Sequence, residues 1–379
     1  MWTKHSVVST LAAVAVMACA CGIEDPTDNP IESLPSVEEM ASAGQQQLAP
    51  EDELSTAGAA RDLDALLDQA LGVPSTQPID SFAFVIKAGR LMLVLDRQPQ
   101  QDWAEGDPEL VSDGHPVVVR RSVKTDAVPA TLLQMRDRQV TLFDDRGPKC
   151  LATVGRVSLV GRFEPHFGER FAWSGQEGAR RMSKAAIAAE AWELSGPVLA
   201  AELEGTTDRC TGATWARASE LGNPELARFG RAPAELTRTA LGAFHRLAPY
   251  AAVAKDFREL VTHPEVAHWE HHEEASPWVQ VLCHRSTRTT LVSVSATAGM
   301  GCGEFMGRLT ALWKVTGGTG TSALQLVGVI EDHVVPTAAV DVDRDGRLEL
   351  LYDHGLIHLS KAGTVQLEEL MVPNWDCPC

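Results

Sequence analysis

Past residue 80 the chain is cut into short apolar, β-branched runs by Gly, Asp and Pro, and that punctuation restricts the fold more than any other feature. Residues 82–86 and 91–95 flank Lys87-Ala88-Gly89-Arg90, a hairpin pattern, and further runs follow at 117–119, 140–143, 151–160, 198–203 and 213–216. After residue 278 they resume at 279–283, 290–294, 309–315, 324–329, 337–340, 348–352 and 356–359. Runs this short, bounded by turn chemistry such as Asp144-Asp145-Arg146-Gly147-Pro148 and Gly317-Gly318-Thr319-Gly320, are strands joined by tight connections. Helical periodicity is confined to two places. The Ala-rich stretch 183–192 has Ser183 as its cap, and Leu236, Ala240, Leu241, Phe244 and Leu247 share a face until Pro249 breaks the run before a second helix over 250–261. The pattern predicts an α+β, β-rich chain with two mainly antiparallel β domains, 80–234 with helical insertions and 277–376. A helical segment, 235–276, joins them. The C-terminal domain is expected to be nearly all-β, and a propeller-blade arrangement is open to it, although no fixed-period repeat is present.

The N-terminus has a different character. Lys4 and His5 precede an apolar run from Val7 to Ala18, too short to span a bilayer, and small residues surround Cys19. Val16-Met17-Ala18-Cys19 resembles the lipobox of bacterial lipoproteins, and Ala18-Cys19-Ala20-Cys21 is a second register. The resemblance implies cleavage of residues 1–18, acylation at Cys19 (alternatively Cys21), and anchoring to a membrane through acyl chains. Ala20 is not the Asp that retains many lipoproteins at the inner membrane, which points to the outer membrane. Residues 19–60, rich in Glu, Asp, Pro, Ser and Gln, read as a disordered acidic tether. Within 61–79, Leu63, Leu66, Leu67 and Leu71 fall at helical spacing before Gly72 and Pro74.

With a net charge of -18 and no Lys/Arg stripe, the chain is not expected to bind nucleic acid, whose phosphates need a positive surface. Export also fits the cysteines, which in an oxidising compartment are bridged more often than free. Cys150 with Cys210 and Cys283 with Cys302 are the preferred pairs, while Cys377 and Cys379 form a Cys-Pro-Cys tail.

The strongest site signal is Asp341-Val342-Asp343-Arg344-Asp345-Gly346-Arg347-Leu348-Glu349. Carboxylates at alternate positions converge when the backbone curls, and a hard cation such as Ca2+ takes ~6 to 8 oxygens. Asp341, Asp343, Asp345, the Arg347 carbonyl and Glu349 are the expected ligands of one structural Ca2+. The first half matches an EF-hand loop, but Tyr352 occupies the twelfth position and both flanks read as strands. Residues 336–353 instead resemble the calcium loop of FG-GAP repeats, which joins two strands of a blade. A second cluster, His263, His268, His271 and His272 with Glu270, Glu273 and Glu274, would place His268 and His272 on one helical face, a spacing able to chelate zinc; its bland reading is a polar surface segment. No nucleophile elbow, phosphate loop or kinase set is present, and Ser174 and His166 lack a third partner at a recognisable spacing, so no catalytic residue is assigned. The expectation is a non-enzymatic, lipid-anchored binding or scaffold protein of the cell envelope with a protein or glycan partner. The alternative is an envelope hydrolase or glycan-binding protein, for which an exposed subset of the nine tryptophans would stack on sugars.

Overall fold

Val85 pairs with Leu93 and Ala88 with Arg90 across a hairpin whose turn residue, Gly89, sits at φ +75°, a conformation natural to a residue without Cβ. In the computed structural model, which describes residues 79–164, 182–261, 265–299, 305–316, 323–353, 355–359 and 365–373, this hairpin opens an eight-stranded antiparallel sheet. Its strands are β1 (Ala83–Ala88), β2 (Arg90–Asp96), β3 (Ala104–Ser112), β4 (Val117–Val123), β5 (Gln139–Asp144), β6 (Gly147–Phe163), β7 (Val198–Glu204) and β8 (Trp215–Ala218). The order β6-β5-β8-β1-β2-β7 closes on itself because β7 also pairs with β6, making a six-stranded barrel from which β4 and β3 extend. Alternate residues fill the inside, among them Val85, Leu93, Val140, Leu142, Val154, Leu199, Ala201 and Ala216. The helix α1 (Ala130–Leu133) links β4 to β5, and α2 (Lys184–Leu194) packs Ile187, Ala188 and Ala191 against Val117, Val119 and Phe163. Ser183 caps α2, accepting from the Ala186 amide at 3.2 Å.

Two further antiparallel sheets follow. Strands β9 (Leu226–Arg228) and β10 (Gly230–Arg231) diverge at once, β9 to a central sheet and β10 to a lateral one. The lateral sheet continues as a meander through β11 (Trp278–His284), β12 (Thr289–Gly299), β13 (Met306–Thr316) and β14 (Ala323–Ile330). The central sheet is completed by β15 (Ala338–Val340), β16 (Glu349–Tyr352), β17 (Gly355–Leu359) and β18 (Val365–Glu369), an up-and-down meander of blade-like connectivity with β9 added at its edge. Helices α3 (Ala234–Phe244) and α4 (Ala248–Leu260) are separated by residues 245–247, with Pro249 inside the first turn of α4, where a missing amide proton costs nothing, and they cover one face of the lateral sheet through Phe244, Tyr250 and Phe257.

The inner strands of the central sheet, β15 to β17, are buried on both faces. Ala338, Val340, Leu351 and Leu356 face the outer wall of the barrel, against Phe84, Met92, Phe143 and Trp215. Ala339, Leu350 and Ile357 face the lateral sheet, against Leu282, Leu291 and Leu312. A two-sided burial of this kind replaces the usual apolar-polar alternation by continuous apolar runs, which is how 337–340 and 348–352 read in the sequence.

Cys150 on β6 is bridged to Cys210 at a 3-10 turn before β8, with Cα atoms 5.4 Å apart. Cys283 lies on β11 with its Sγ 3.6 Å from Thr290 Oγ1; its expected partner Cys302 lies outside the described residues. So do Cys19, Cys21, Cys377 and Cys379, the leader, the tether, Leu63 to Leu71, His166, Ser174, His263 and the 317–320 turn. The bridge closes a 60-residue separation, so the Cys150→Ser/Cys210→Ser double variant is expected to lose about 4 kcal/mol on the loop-entropy model. Urea denaturation of the oxidised protein and the variant measures that loss, and equal midpoints would contradict it.

Candidate metal centre

The acidic loop joins the two innermost strands of the central sheet: Val340 pairs with Glu349, and residues 341–348 lie between them. Two of its even positions are drawn into cores. Val342, fully buried, joins the barrel-side cluster, and Leu348 joins the cluster shared with the lateral sheet. That leaves Asp341, Asp343 and Asp345 on the remaining side, each with one carboxylate oxygen within 4.8 Å of those of the other two. Opposite ligands of a cation bound at ~2.3 to 2.6 Å lie about 5 Å apart, so this separation matches one coordination sphere.

Backbone amides hold the curl. Asp341 Oδ2 accepts from Gly346 N at 3.0 Å, Asp343 Oδ1 from Asp345 N at 3.0 Å, and Asp345 Oδ1 from Arg347 N at 2.8 Å. Gly346 sits at φ +83° and Arg344 at φ +63°; for the arginine this region costs on the order of 1 kcal/mol or more, and its guanidinium anchors the loop to the barrel side by donating to the Leu221 carbonyl at 2.9 Å.

The charge is only partly compensated. Arg347 reaches Asp345 at 3.2 Å, and among the described residues no guanidinium or ammonium forms an ion pair with Asp341 or Asp343. Arg217, almost fully buried on β8, feels Asp341 without bonding it; burial and then the Arg344 charge lower its pKa, and Asp341 and Asp80 oppose that shift. The decisive atom is Asp341 Oδ1, buried and without a hydrogen-bond partner. An orphaned carboxylate oxygen costs free energy that a cation would return, so the residues present fit a hard divalent ion. Of the five expected ligands, the three aspartates converge. Arg347 contributes its amide and guanidinium to Asp345, and Glu349 turns Oε2 to the Val342 amide at 3.2 Å. Burial pushes the Glu349 carboxyl up to about 7, and a dication beside it would hold it ionised.

The histidine segment differs from its sequence pattern. Residues Trp269–Glu274 form a 3-10 stretch in which His272 is extended at ψ 138° and Glu273 has φ 54°, so the i, i+4 helical face of His268 and His272 does not form. Nor is the segment a wholly polar surface, since Trp269 and Glu270 are completely buried. Glu270 instead meets two helices: His245 Nε2, just past the end of α3, lies 2.6 Å from Oε1, and Tyr250 Oη on α4 donates to Oε2 at 2.7 Å. His268 Nδ1 is 3.0 Å from Tyr250 Oη, and the His245 and His268 rings stack 4.7 Å apart. Burial opposes ionisation of Glu270, but the bonds from His245 and Tyr250 outweigh it and hold the carboxyl below its usual range. The same bond, with burial, drives the Tyr250 hydroxyl far above its ordinary value. Sequence periodicity was silent on this network because its hydrogen bonds join residues 18 to 25 apart.

A cavity of about 590 Å³ between the barrel and the central sheet is lined by Phe82, Phe84, Trp215, Tyr352, Asp144 and Arg162, among others. Its aromatic rings are largely engaged with one another: Trp215 stacks on Phe143 at 4.1 Å and on Phe82 at 5.4 Å. No described helix is long and apolar enough to cross a membrane. No protein-family model matches the chain, and no curated protein or solved structure is similar to it.

Replacing Glu270 by Ala strands the buried Tyr250 hydroxyl and takes the carboxylate from the half-buried His245 ring, and a loss of about 2 kcal/mol is expected. Equilibrium unfolding of Glu270→Ala checks it; an unchanged midpoint would contradict the network's structural weight.

Proposed function

We propose that this chain is a non-enzymatic binding or scaffold protein of the cell envelope, anchored by N-terminal acyl chains and carrying one structural Ca2+ in the β15–β16 loop. Asp341 carries the calcium reading: it converges with Asp343 and Asp345, and its Oδ1 is a buried, unpartnered carboxylate oxygen of the kind a hard cation satisfies. The address rests on the leader, where Lys4, the apolar run to Ala18 and Cys19 have the order of a lipoprotein signal. Outer-membrane attachment through Cys19, with Cys21 as the alternative acceptor, follows from Ala20. The partner would be a protein or glycan met outside the cytoplasm.

A second reading, a glycan-binding protein or envelope hydrolase, draws on the aromatic and acidic lining of the 590 Å³ cavity. Trp215 is 1% exposed and has rings stacked on it, so its face is not offered to a sugar. Trp278, 58% exposed on β11, is the large exposed tryptophan among the described residues and is not among the residues lining that cavity. Packing rather than stacking on a ligand therefore accounts for the buried rings, and the binding or scaffold reading is preferred.

Thermal melts of the purified full chain in EDTA and in millimolar Ca2+ test the calcium assignment. A ligand that binds only the native state at a hundred times its dissociation constant adds ~2.7 kcal/mol, so a clear upward shift is expected, lost in Asp343→Ala/Asp345→Ala. Identical melts with and without the ion would reduce the loop to an acidic turn. For the anchor, metabolic labelling with a fatty acid is expected to mark the wild-type chain and not Cys19→Ser. Label retained in Cys19→Ser and lost in Cys21→Ser would move the acceptor, and no label in the wild type would remove the anchor.

A further inference from the structure

A second ion site, of different chemistry, lies where α3, α4 and the segment before β11 meet. The ligating atoms of His245, His268 and Glu270 all fall within 4.8 Å of one another, with Tyr250 Oη bonded to Glu270 and His268. We infer that His245, His268 and Glu270 form a binding site for a divalent transition ion of the Zn2+ type, with Tyr250 beside its open position.

The donor set argues for that class of ion. Two imidazoles and one carboxylate suit Zn2+ and its neighbours, whereas the all-oxygen loop at Asp341 suits Ca2+, so one chain offers two sites of opposite preference. The burial is graded in the way a site filled from solvent requires. Glu270 is fully buried and fixed from two sides, the His245 side chain is 30% exposed, and His268 is exposed. An anionic floor thus lies under two imidazoles at the rim, with three protein ligands and a fourth position left for water or a partner's group.

The rearrangement needed falls on the two histidines, the more exposed members of the site. Ligands of a tetrahedral zinc stand ~3.4 Å apart for bonds of about 2.1 Å, so His245 Nε2 and Glu270 Oε1, now 2.6 Å apart, must separate by less than an ångström. The two rings are parallel to within 11°, and a shared ion must lie near the plane of each, so His268 has to turn. Its side chain is exposed, hydrogen-bonded to Tyr250 and stacked on His245. Binding would replace the His245–Glu270 hydrogen bond, because a ligating Nε2 carries no proton.

The test uses the full chain without a polyhistidine tag, stripped of metal and held in millimolar Ca2+ so that the acidic loop is saturated. Co2+ is titrated in, and the visible absorption of the four-coordinate ion is followed; Zn2+ is then added as competitor. One equivalent of Co2+ is expected to bind and to be displaced by Zn2+. His268→Gln, at an exposed position, is expected to fold normally and to weaken binding by at least about tenfold, the loss that even an outer-shell change produces at metal sites. Glu270→Gln, with folding verified by circular dichroism, is expected to weaken it at least as much, and Asp343→Ala/Asp345→Ala to leave the cobalt spectrum unchanged. No saturable band in the wild type, or a band that survives His268→Gln at full affinity, would overturn the assignment and leave the cluster as a hydrogen-bonded brace.

Discussion

Burial of the inner strands of the central sheet, β15 to β17, on both faces is the constraint on which the rest of the molecule depends. Along β15, Ala338 and Val340 point to the barrel while Ala339 points to the lateral sheet; along β16 and β17, Leu351 and Leu356 face the barrel and Leu350 and Ile357 the lateral sheet. A one-residue slip would exchange the two sets and bring every side chain to the wrong partner, so the register is strongly specified. Neither outer layer could exclude water from its inner face without these strands. Glu368 on β18 is held by His358 at 2.8 Å and by Arg97, which follows β2, at 3.2 Å.

The acidic loop inherits its shape from that layer. Val342 and Leu348 are extensions of the same two-sided pattern into the connection, and by going to opposite cores they fix where the backbone between them must run. The aspartates are left to converge, and three backbone amides and the Arg344 anchor on Leu221 preserve the arrangement. The result is a concentrated negative charge with one buried oxygen unpartnered, at the hairpin that links the innermost strands of the stack. An ion placed there would tie the loop to the layer through which the barrel and the lateral sheet pack.

Much of this was legible in the sequence, for local reasons. The β1–β2 hairpin carries its Gly turn, α2 its serine cap, α4 its proline, and the central strands their apolar runs. Other parts left no local mark. Strand β3, AEGDPELVS, is largely exposed and pairs within the sheet only with β4, so it needs few apolar residues. Strands β9 and β10 are three and two residues long. Closure of the barrel rests on β6 pairing with β7, for example Val157 with Ala201, a contact between distant segments. The acidic loop was readable because its aspartates sit within one turn of chain. The Glu270 network was not, because helix ends and a 3-10 kink bring His245, Tyr250 and His268 together across the fold.

Amide hydrogen exchange in β15 and β16, compared in EDTA and in saturating Ca2+, tests most directly whether an ion at the aspartates secures the central layer. The expected result is slowed exchange concentrated in Ala338–Val340, the 341–348 loop and Glu349–Tyr352, with little change in β12 and β13. Exchange in these two strands that is indifferent to Ca2+, or slowed no more there than elsewhere in the chain, would contradict it.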